Sequence, residues 1–250
     1  MSEGKTCMNQ NIVPLEAGWR FPGLKPYRSC DATYCFYPYE SLPSLPASIF
    51  QGTFDWLTPL EHYQDIIGMD HYHTEDDLSQ VIESSLRLQI ALPDPFLRFM
   101  ALPNLLERIP SCTDAFFSLS DMVPYTGPGG GYIVRFMNAR QGQIAWYLYL
   151  NLRGEHCVLV GFPLLDVLHD PESPDYMKEQ ITEKEQTMVL EGRGATICAF
   201  SFEEFVYRFW IENTIWYKLS GYSQWKPLTR DEHLYLADYK RKKGSLRPQE

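Results

Sequence analysis

Three β-rich segments in the middle of the chain constrain its fold more than any other feature. They are YIVRFM (132–137), IAWYLYL (144–150) and HCVLVGF (156–162), and the short polar stretches NARQGQ and NLRGE separate them. Loops this short join antiparallel neighbours, because parallel strands need a much longer crossover. The spacing therefore predicts an antiparallel β-meander.

The second of these segments has two different faces. Side chains alternate along a strand, so the larger apolar residues of 144–150 share one face, which we expect to be core. The other face carries Ala145, Tyr147 and Tyr149. It is either an exposed aromatic surface or a surface covered by the N-terminal part of the chain, and the sequence leaves both possibilities open.

Helices are predicted on both sides of the meander. Apolar periods of about 3.6 residues follow typical N-cap residues, and in the second helix Leu78, Val81, Ile82 and Leu86 share the apolar face. The predicted helices begin near Thr58, Thr74, Asp94, Ser201 and Thr229. The fold class predicted is α+β, an antiparallel β-meander flanked by N- and C-terminal helices.

The chain divides into three parts by composition. Residues 1–57 are rich in proline and aromatic side chains, which excludes helix but also argues against plain disorder. We call this segment the N-terminal strap and expect it to wrap around the body. Residues 58–240 are predicted to form a single α+β domain, and residues 241–250 a basic polar tail.

A glycine-rich loop, GPGGG (127–131), precedes the first strand of the meander. Phosphate-binding loops deliver the phosphate to the N-terminus of a helix, where free N–H groups converge. Here the glycines lead into a strand instead. The order of elements favours a simple turn over a nucleotide site.

A short histidine-containing segment, DHYHTEDD (70–77), offers the best metal-like spacing. His71 and His73 would share a face of an extended segment, with carboxylates close by. The acidic residues are equally explained as the first turn of a capped helix. A metal-dependent enzyme using His71 and His73 is therefore the alternative hypothesis, while the main prediction has no catalytic residue, metal or cofactor.

Charge and composition favour a protein partner. The net charge of −10 disfavours binding to nucleic acid and favours a basic protein. Aromatic residues make up 14% of the chain, and exposed tyrosines are frequent anchors at interfaces. The candidate contact residues, taken from the meander's second face and its entry loop, are Tyr125, Arg135, Tyr147 and Tyr149.

Cysteine spacing and hydropathy suggest a cellular location. The six cysteines form no C-x-x-C pair, and a chain of 250 residues does not need disulfides to fold. The N-terminal residues lack an apolar signal region, and no run of 18 apolar residues follows. We expect a protein of the reducing cytoplasm without a membrane segment; its oligomeric state is not predicted.

The order of these features resembles the SUKH superfamily. The resemblance lies in LPDPFLRFMAL, then AFFSLSD, then the meander with QGQIAWYLYL and HCVLV, then the helix SFEEFVYRFWIENTIW, covering roughly residues 90–220. The family includes fungal regulators of cell-wall synthesis and bacterial immunity proteins. The resemblance implies an α+β fold and a non-catalytic role, either an immunity protein that neutralises a basic toxin domain or a regulatory scaffold without a toxin partner.

Overall fold

A six-stranded antiparallel sheet forms the centre of the molecule. The computed structural model describes residues 12–60, 70–72, 74–170, 179, 181–191, 194–221 and 226–245. The strands are β1 (Gly18–Phe21), β2 (Cys35–Pro38), β3 (Phe116–Phe117), β4 (Val123–Pro124), β5 (Tyr132–Asn138), β6 (Ala145–Leu150), β7 (His156–Gly161) and β8 (Ala195–Ala199). The sheet has the order β3-β5-β6-β7-β8, β4 also pairs with β5, and β1 and β2 form a separate two-stranded sheet.

The predicted meander is confirmed. Strands β5, β6 and β7 pair antiparallel with their neighbours along the chain, and their bounds agree with the predicted segments to within a residue. Strand β8 was not predicted, because its five residues follow a long polar stretch and offer only a short apolar run. It pairs with β7 and lies beside Ala17 of the strap.

Seven helices are described, and they flank the meander on both sides. They are α1 (Glu75–Leu88), α2 (Asp94–Met100), α3 (Pro103–Leu106), α4 (Leu165–His169), α5 (Glu183–Leu190), α6 (Phe202–Leu219) and α7 (Arg230–Ser245). The α+β class is therefore confirmed. Thr74, Ser201 and Thr229 each accept a hydrogen bond from a backbone amide of the first turn, as their sequence contexts predicted.

Several details of the helices differ from prediction. Asp94 is the first residue of α2 rather than its cap, because Pro93 occupies the cap position. Leu86 of α1 is 73% exposed, and Ser85 takes the buried position in its place. Helix α7 continues to Ser245, so the start of the predicted basic tail is helical. Of the helix predicted near Thr58, only residues 58–60 are described, and they form a turn.

One face of the sheet packs against an aromatic core. Helix α6 places Phe202, Phe205 and Phe209 against β5 and β6, where they contact Phe136 and Trp146 at centroid distances of 5.3–5.8 Å. All five side chains are almost fully buried. Edge-to-face contacts of this kind add to the free energy that area burial provides.

The other face of the sheet is covered as well. A second buried cluster forms there between the meander and the segments that lie across it. The covering residues come from the strap, α4 and α5: Ile12, Val13, Leu15, Ala17, Leu165 and Val189. Of the two possibilities that the sequence left open for this face, the covered one is therefore correct.

A buried ion pair anchors the strap to α6 and α7. The Glu212 carboxylate, which is fully buried, accepts hydrogen bonds from Arg28 (2.7 Å), the Trp19 indole (2.8 Å) and the hydroxyl groups of Tyr235 and Tyr239. A buried charge is tolerated only when it is paired and its remaining lone pairs are satisfied. The strap is thus fixed by specific polar contacts as well as by apolar packing.

The strap also contains a disulfide between Cys30 and Cys35. Cysteine spacing and chain length indicated no need for disulfides, and they did not predict this bond. The bond closes a small local loop in an irregular segment instead of cross-linking the domain, so the size argument used for whole domains does not apply to it.

The glycine-rich loop is a turn between β4 and β5. The Tyr125 amide donates to the Gly131 carbonyl (2.8 Å), and Gly129, Gly130 and Gly131 all have positive φ. A Cβ on Gly131 would lie 2.4 Å from the Leu150 carbonyl oxygen. The glycines are required for backbone conformation and for close approach to β6, which confirms the turn interpretation.

We expect Gly131→Ala to lower the free energy of unfolding by about 2–3 kcal/mol, because it combines a left-handed backbone with a clash against backbone. Gly154→Ala is the control: its φ is also positive (79° against 97° at Gly131), but nothing lies within 4 Å of its added Cβ. Urea denaturation of both variants measures the difference. Equal losses would show that close approach to β6 does not matter.

Candidate functional site

Three of the four residues predicted to contact a partner are buried. Tyr125 is 3% exposed, and Tyr147 and Tyr149 are fully buried under the segments that cover the second face of the sheet. Tyr125 packs edge-on against Tyr149 at 5.6 Å between ring centroids, and burial raises the pKa of each phenol to about 12. These tyrosines are not accessible as surface anchors, so the exposure that the prediction of contact residues required is absent at all three.

Arg135, the fourth predicted contact residue, lies at an open groove. The groove runs between α1, the segment that joins β3 to β4, strand β5 and helix α4. Its inner part has a volume of about 320 Å³. The residues that line the inner part are Asp77, Gln80, Leu119, Ser120, Asp121, Val123, Arg135, Asp166, Val167 and Asp170.

The groove continues outward along α1. This outer part has a volume of about 740 Å³, and it shares Gln80, Asp121, Val123 and Asp170 with the inner part. The residues found only in the outer part are Glu83, Ser84, Arg87, Leu88, Met122, Pro124 and Tyr132. The two parts form one continuous depression, which we call the acidic groove.

The charge of the acidic groove is strongly one-sided. Four aspartates and one arginine line its inner part, while Glu83 and Arg87 balance each other in the outer part. Asp121 is exposed at the point that both parts share. A concave surface lined by charges of one sign concentrates the field and attracts groups of the opposite sign.

The floor of the acidic groove is a polar cluster held by the sheet and α4. Arg135 of β5 lies 3.3 Å from the Asp166 carboxylate, whose side chain is only 8% exposed. Beneath this pair, the Tyr147 hydroxyl donates to the Phe162 carbonyl (2.7 Å) and accepts from the Leu165 amide (3.2 Å). Tyr147 therefore fixes the start of α4, and α4 in turn holds Asp166 in the groove.

The environment of the floor favours the neutral form of the Asp166 carboxyl more than water favours the neutral form of an exposed aspartate. Burial raises the pKa of the Asp166 carboxyl, and the nearby Arg135 charge offsets that rise only in part. The charged form of Asp166 is therefore held in the groove at a cost in stability.

This cost predicts a pH dependence of stability. Because the pKa of Asp166 is higher in the folded than in the unfolded state, its contribution to stability is fully present below the unfolded value, about 4, and is lost as the pH rises through the folded value. We expect the native protein to gain stability relative to Asp166→Asn as the pH falls from 7 to 4. Urea denaturation across that range measures the difference. A difference that is constant, or that grows with rising pH, would contradict the assignment.

The alternative metal site receives no support from the described residues. His71 pairs through its backbone with Phe117 beside β3, and His73 lies outside the described residues. In the part of the chain that the structure describes, no three His, Cys, Asp or Glu side chains are arranged to hold a metal ion. The aspartates of the acidic groove are included in that statement.

Most of the acidic groove has no signal in the sequence. Asp77 was predicted as part of a helix first turn, and Asp77 does accept hydrogen bonds from Thr74 in a capping box. Asp121 and Asp170 lie in irregular stretches, and Asp166 lies in α4, a helix that was not predicted. Only the paired strands and α4 bring these distant residues together.

Comparison with protein-family models, with curated proteins and with solved structures found no match. No helix among the described residues is both long and apolar enough to cross a bilayer. The candidate function of the chain therefore depends on the geometry and charge of the acidic groove.

Proposed function

We propose that this chain is a non-catalytic protein-binding module whose acidic groove receives a basic segment of a partner protein. The observation that carries the proposal is the lining of the inner part of this open groove, where four aspartates stand against a single arginine. Lysine and arginine side chains are the protein groups that complement such a surface.

The shape of the acidic groove supports a polypeptide ligand. The outer part is edged by Leu88 and Tyr132, which are half-buried and offer apolar surface next to the carboxylates. Interfaces commonly combine an apolar contact area with charged groups that set orientation and rate of association. A partner segment that places a basic residue in the inner part and an apolar neighbour in the outer part would use both features.

The proposal also names a class of partner and a cellular location for the chain. By the SUKH resemblance, the partner is a basic toxin domain and the chain is an immunity protein of the cytoplasm; a regulatory scaffold is the other form of the same hypothesis. The overall charge of −10 supports a basic partner and opposes nucleic acid.

The proposal is tested by titration of the protein with a ten-residue peptide of alternating arginine and glycine. We expect Glu83→Gln/Asp121→Asn to weaken binding about tenfold, because two exposed carboxylates of the acidic groove are removed at roughly 0.5–1 kcal/mol each. Raising the salt concentration should weaken binding of the native protein.

A matched control separates local contact from overall charge. Glu40→Gln/Asp55→Asn removes one glutamate and one aspartate from exposed positions outside the acidic groove. The two double variants have the same net charge, so long-range attraction falls equally in both. Equal affinities of the two variants would refute the acidic groove as the binding site.

A further inference from the structure

We propose that the Cys30–Cys35 disulfide is a redox-controlled latch that holds the strap segment between β1 and β2 on the body of the protein. The proposal does not rest on the function of the acidic groove. It starts from the position of the disulfide between two side chains that anchor this segment, Arg28 and Tyr34.

The first anchor lies just before the disulfide. Arg28 is buried; besides pairing with Glu212, it donates to the Pro22 carbonyl (3.0 Å) and stacks over the ring of Tyr37 at 4.0 Å. The Tyr37 hydroxyl donates to the Ser29 carbonyl at 3.0 Å. This part of the strap is therefore held at two consecutive residues. The Arg28 side chain is bound to Glu212, and the Ser29 carbonyl accepts from Tyr37.

The second anchor lies inside the loop that the disulfide closes. The Tyr34 hydroxyl donates to Thr113 (2.8 Å), and its ring packs edge-on against Trp146 of the core at 6.0 Å. Cys35, the next residue, begins β2 and pairs with Phe21 of β1. The disulfide thus ties Cys30, two residues after Arg28, directly to the first residue of β2 in the two-stranded sheet.

Exposure makes the disulfide accessible to a reductant. Cys30 and Cys35 are half-buried, and the adjacent residues Ser29, Asp31 and Ala32 are exposed. The other described cysteines, Cys112, Cys157 and Cys198, are free thiols that are not part of this loop.

The redox step needs only a dithiol of the thioredoxin or dithiothreitol class. Its two sulfurs form a disulfide while Cys30 and Cys35 each take up a proton and become thiols, so two electrons pass from the dithiol to the protein. Release of the cross-link returns conformational entropy to residues 30–35 and frees Cys30, two residues after Arg28, from its covalent tie to β2. This favours states in which Arg28 leaves its site. Oxidation reverses the step and locks the segment.

Limited trypsin digestion of the full chain tests the latch, because Arg28 is itself a cleavage site. We expect reduction with dithiothreitol under native conditions to speed cleavage after Arg28 at least tenfold. Cleavage after Arg20, which lies in the paired strand β1, should not change and reports whether the effect is local. The variant Cys30→Ser/Cys35→Ser should be cleaved like the reduced protein, whether or not reductant is present.

Three results would overturn the latch, and the first two are direct. One is equal cleavage after Arg28 in the oxidised and the reduced protein. The other is mass spectrometry of air-oxidised protein that finds no bond between Cys30 and Cys35. Faster cleavage at Arg20 and Arg28 alike would also refute it, since that pattern indicates loosening of the whole fold and not of the latch.

Discussion

Replacement of Glu212 by alanine is expected to lower the free energy of unfolding by about 3–5 kcal/mol. The substitution leaves the buried Arg28 guanidinium without its counter-charge, and it removes the acceptor shared by Trp19, Tyr235 and Tyr239. A single domain has only about 5–15 kcal/mol to lose, so the variant should be close to unfolding. Chemical denaturation followed by tryptophan fluorescence measures the loss.

Two further variants show whether this loss comes from the buried ion pair. Glu40→Ala removes an exposed carboxylate from the same strap and should change stability by no more than about 0.5 kcal/mol. Arg28→Met/Glu212→Gln removes both charges and keeps an acceptor, so it should cost less than the sum of the single changes. Strict additivity would contradict a coupled ion pair between the strap and α6.

The same ion pair predicts an opposite pH dependence to that of Asp166. Burial alone would raise the pKa of the Glu212 carboxyl, but the charge and hydrogen bonds of Arg28 outweigh burial and hold the pKa below its usual value. The contribution of Glu212 to stability is therefore present above the unfolded value, about 4.3, and is lost as the pH falls through the folded value.

Phe205→Ala is the second change with a large expected effect, a loss of about 3–5 kcal/mol in the free energy of unfolding. Phe205 is 1% exposed and contacts Trp19 of the strap, Phe136 and Trp146 of the sheet, and Phe209 one turn along α6, at centroid distances of 5.3–6.4 Å. Its removal opens a cavity where three parts of the fold meet, and aromatic neighbours on rigid elements cannot collapse fully into it.

Leu234→Ala provides the comparison for a large apolar side chain outside the core. Leu234 is 59% exposed on α7, so its truncation should change stability by about 0.5 kcal/mol or less. Thermal unfolding of both variants in parallel measures the contrast. A loss below about 1.5 kcal/mol for Phe205→Ala would show that the strap, sheet and α6 do not share one core.

The sequence predicted those parts of the fold in which local signals are strong. Alternation and short loops identified β5, β6 and β7, and cap residues such as Thr74 and Ser201 marked the starts of helices. Strand β8 and helices α4 and α5 were missed, because each is short and its stability comes from the sheet it packs on. The periodicity of a short segment carries little information when tertiary contacts decide its structure.

The candidate site was harder to predict for the same reason. Alternation correctly placed Arg135, Tyr147 and Tyr149 on one face of the sheet, but it could not show that residues 12–17 and α4 cover the tyrosines. Arg135 stays accessible because it lies at the border of this cover. The buried pair of Arg28 and Glu212 joins residues 184 positions apart and has no local signature at all.

Mapping of amide chemical shifts tests, residue by residue, the claim that the acidic groove binds a basic polypeptide. Titration of isotope-labelled protein with the arginine–glycine peptide should shift amides of residues 77–88, 119–124 and 166–170, which line the acidic groove. A second groove of about 720 Å³, between residues 44–49 and α7, is largely apolar and serves as the internal reference. Shifts concentrated at this second groove, or spread evenly over the surface, would contradict the claim.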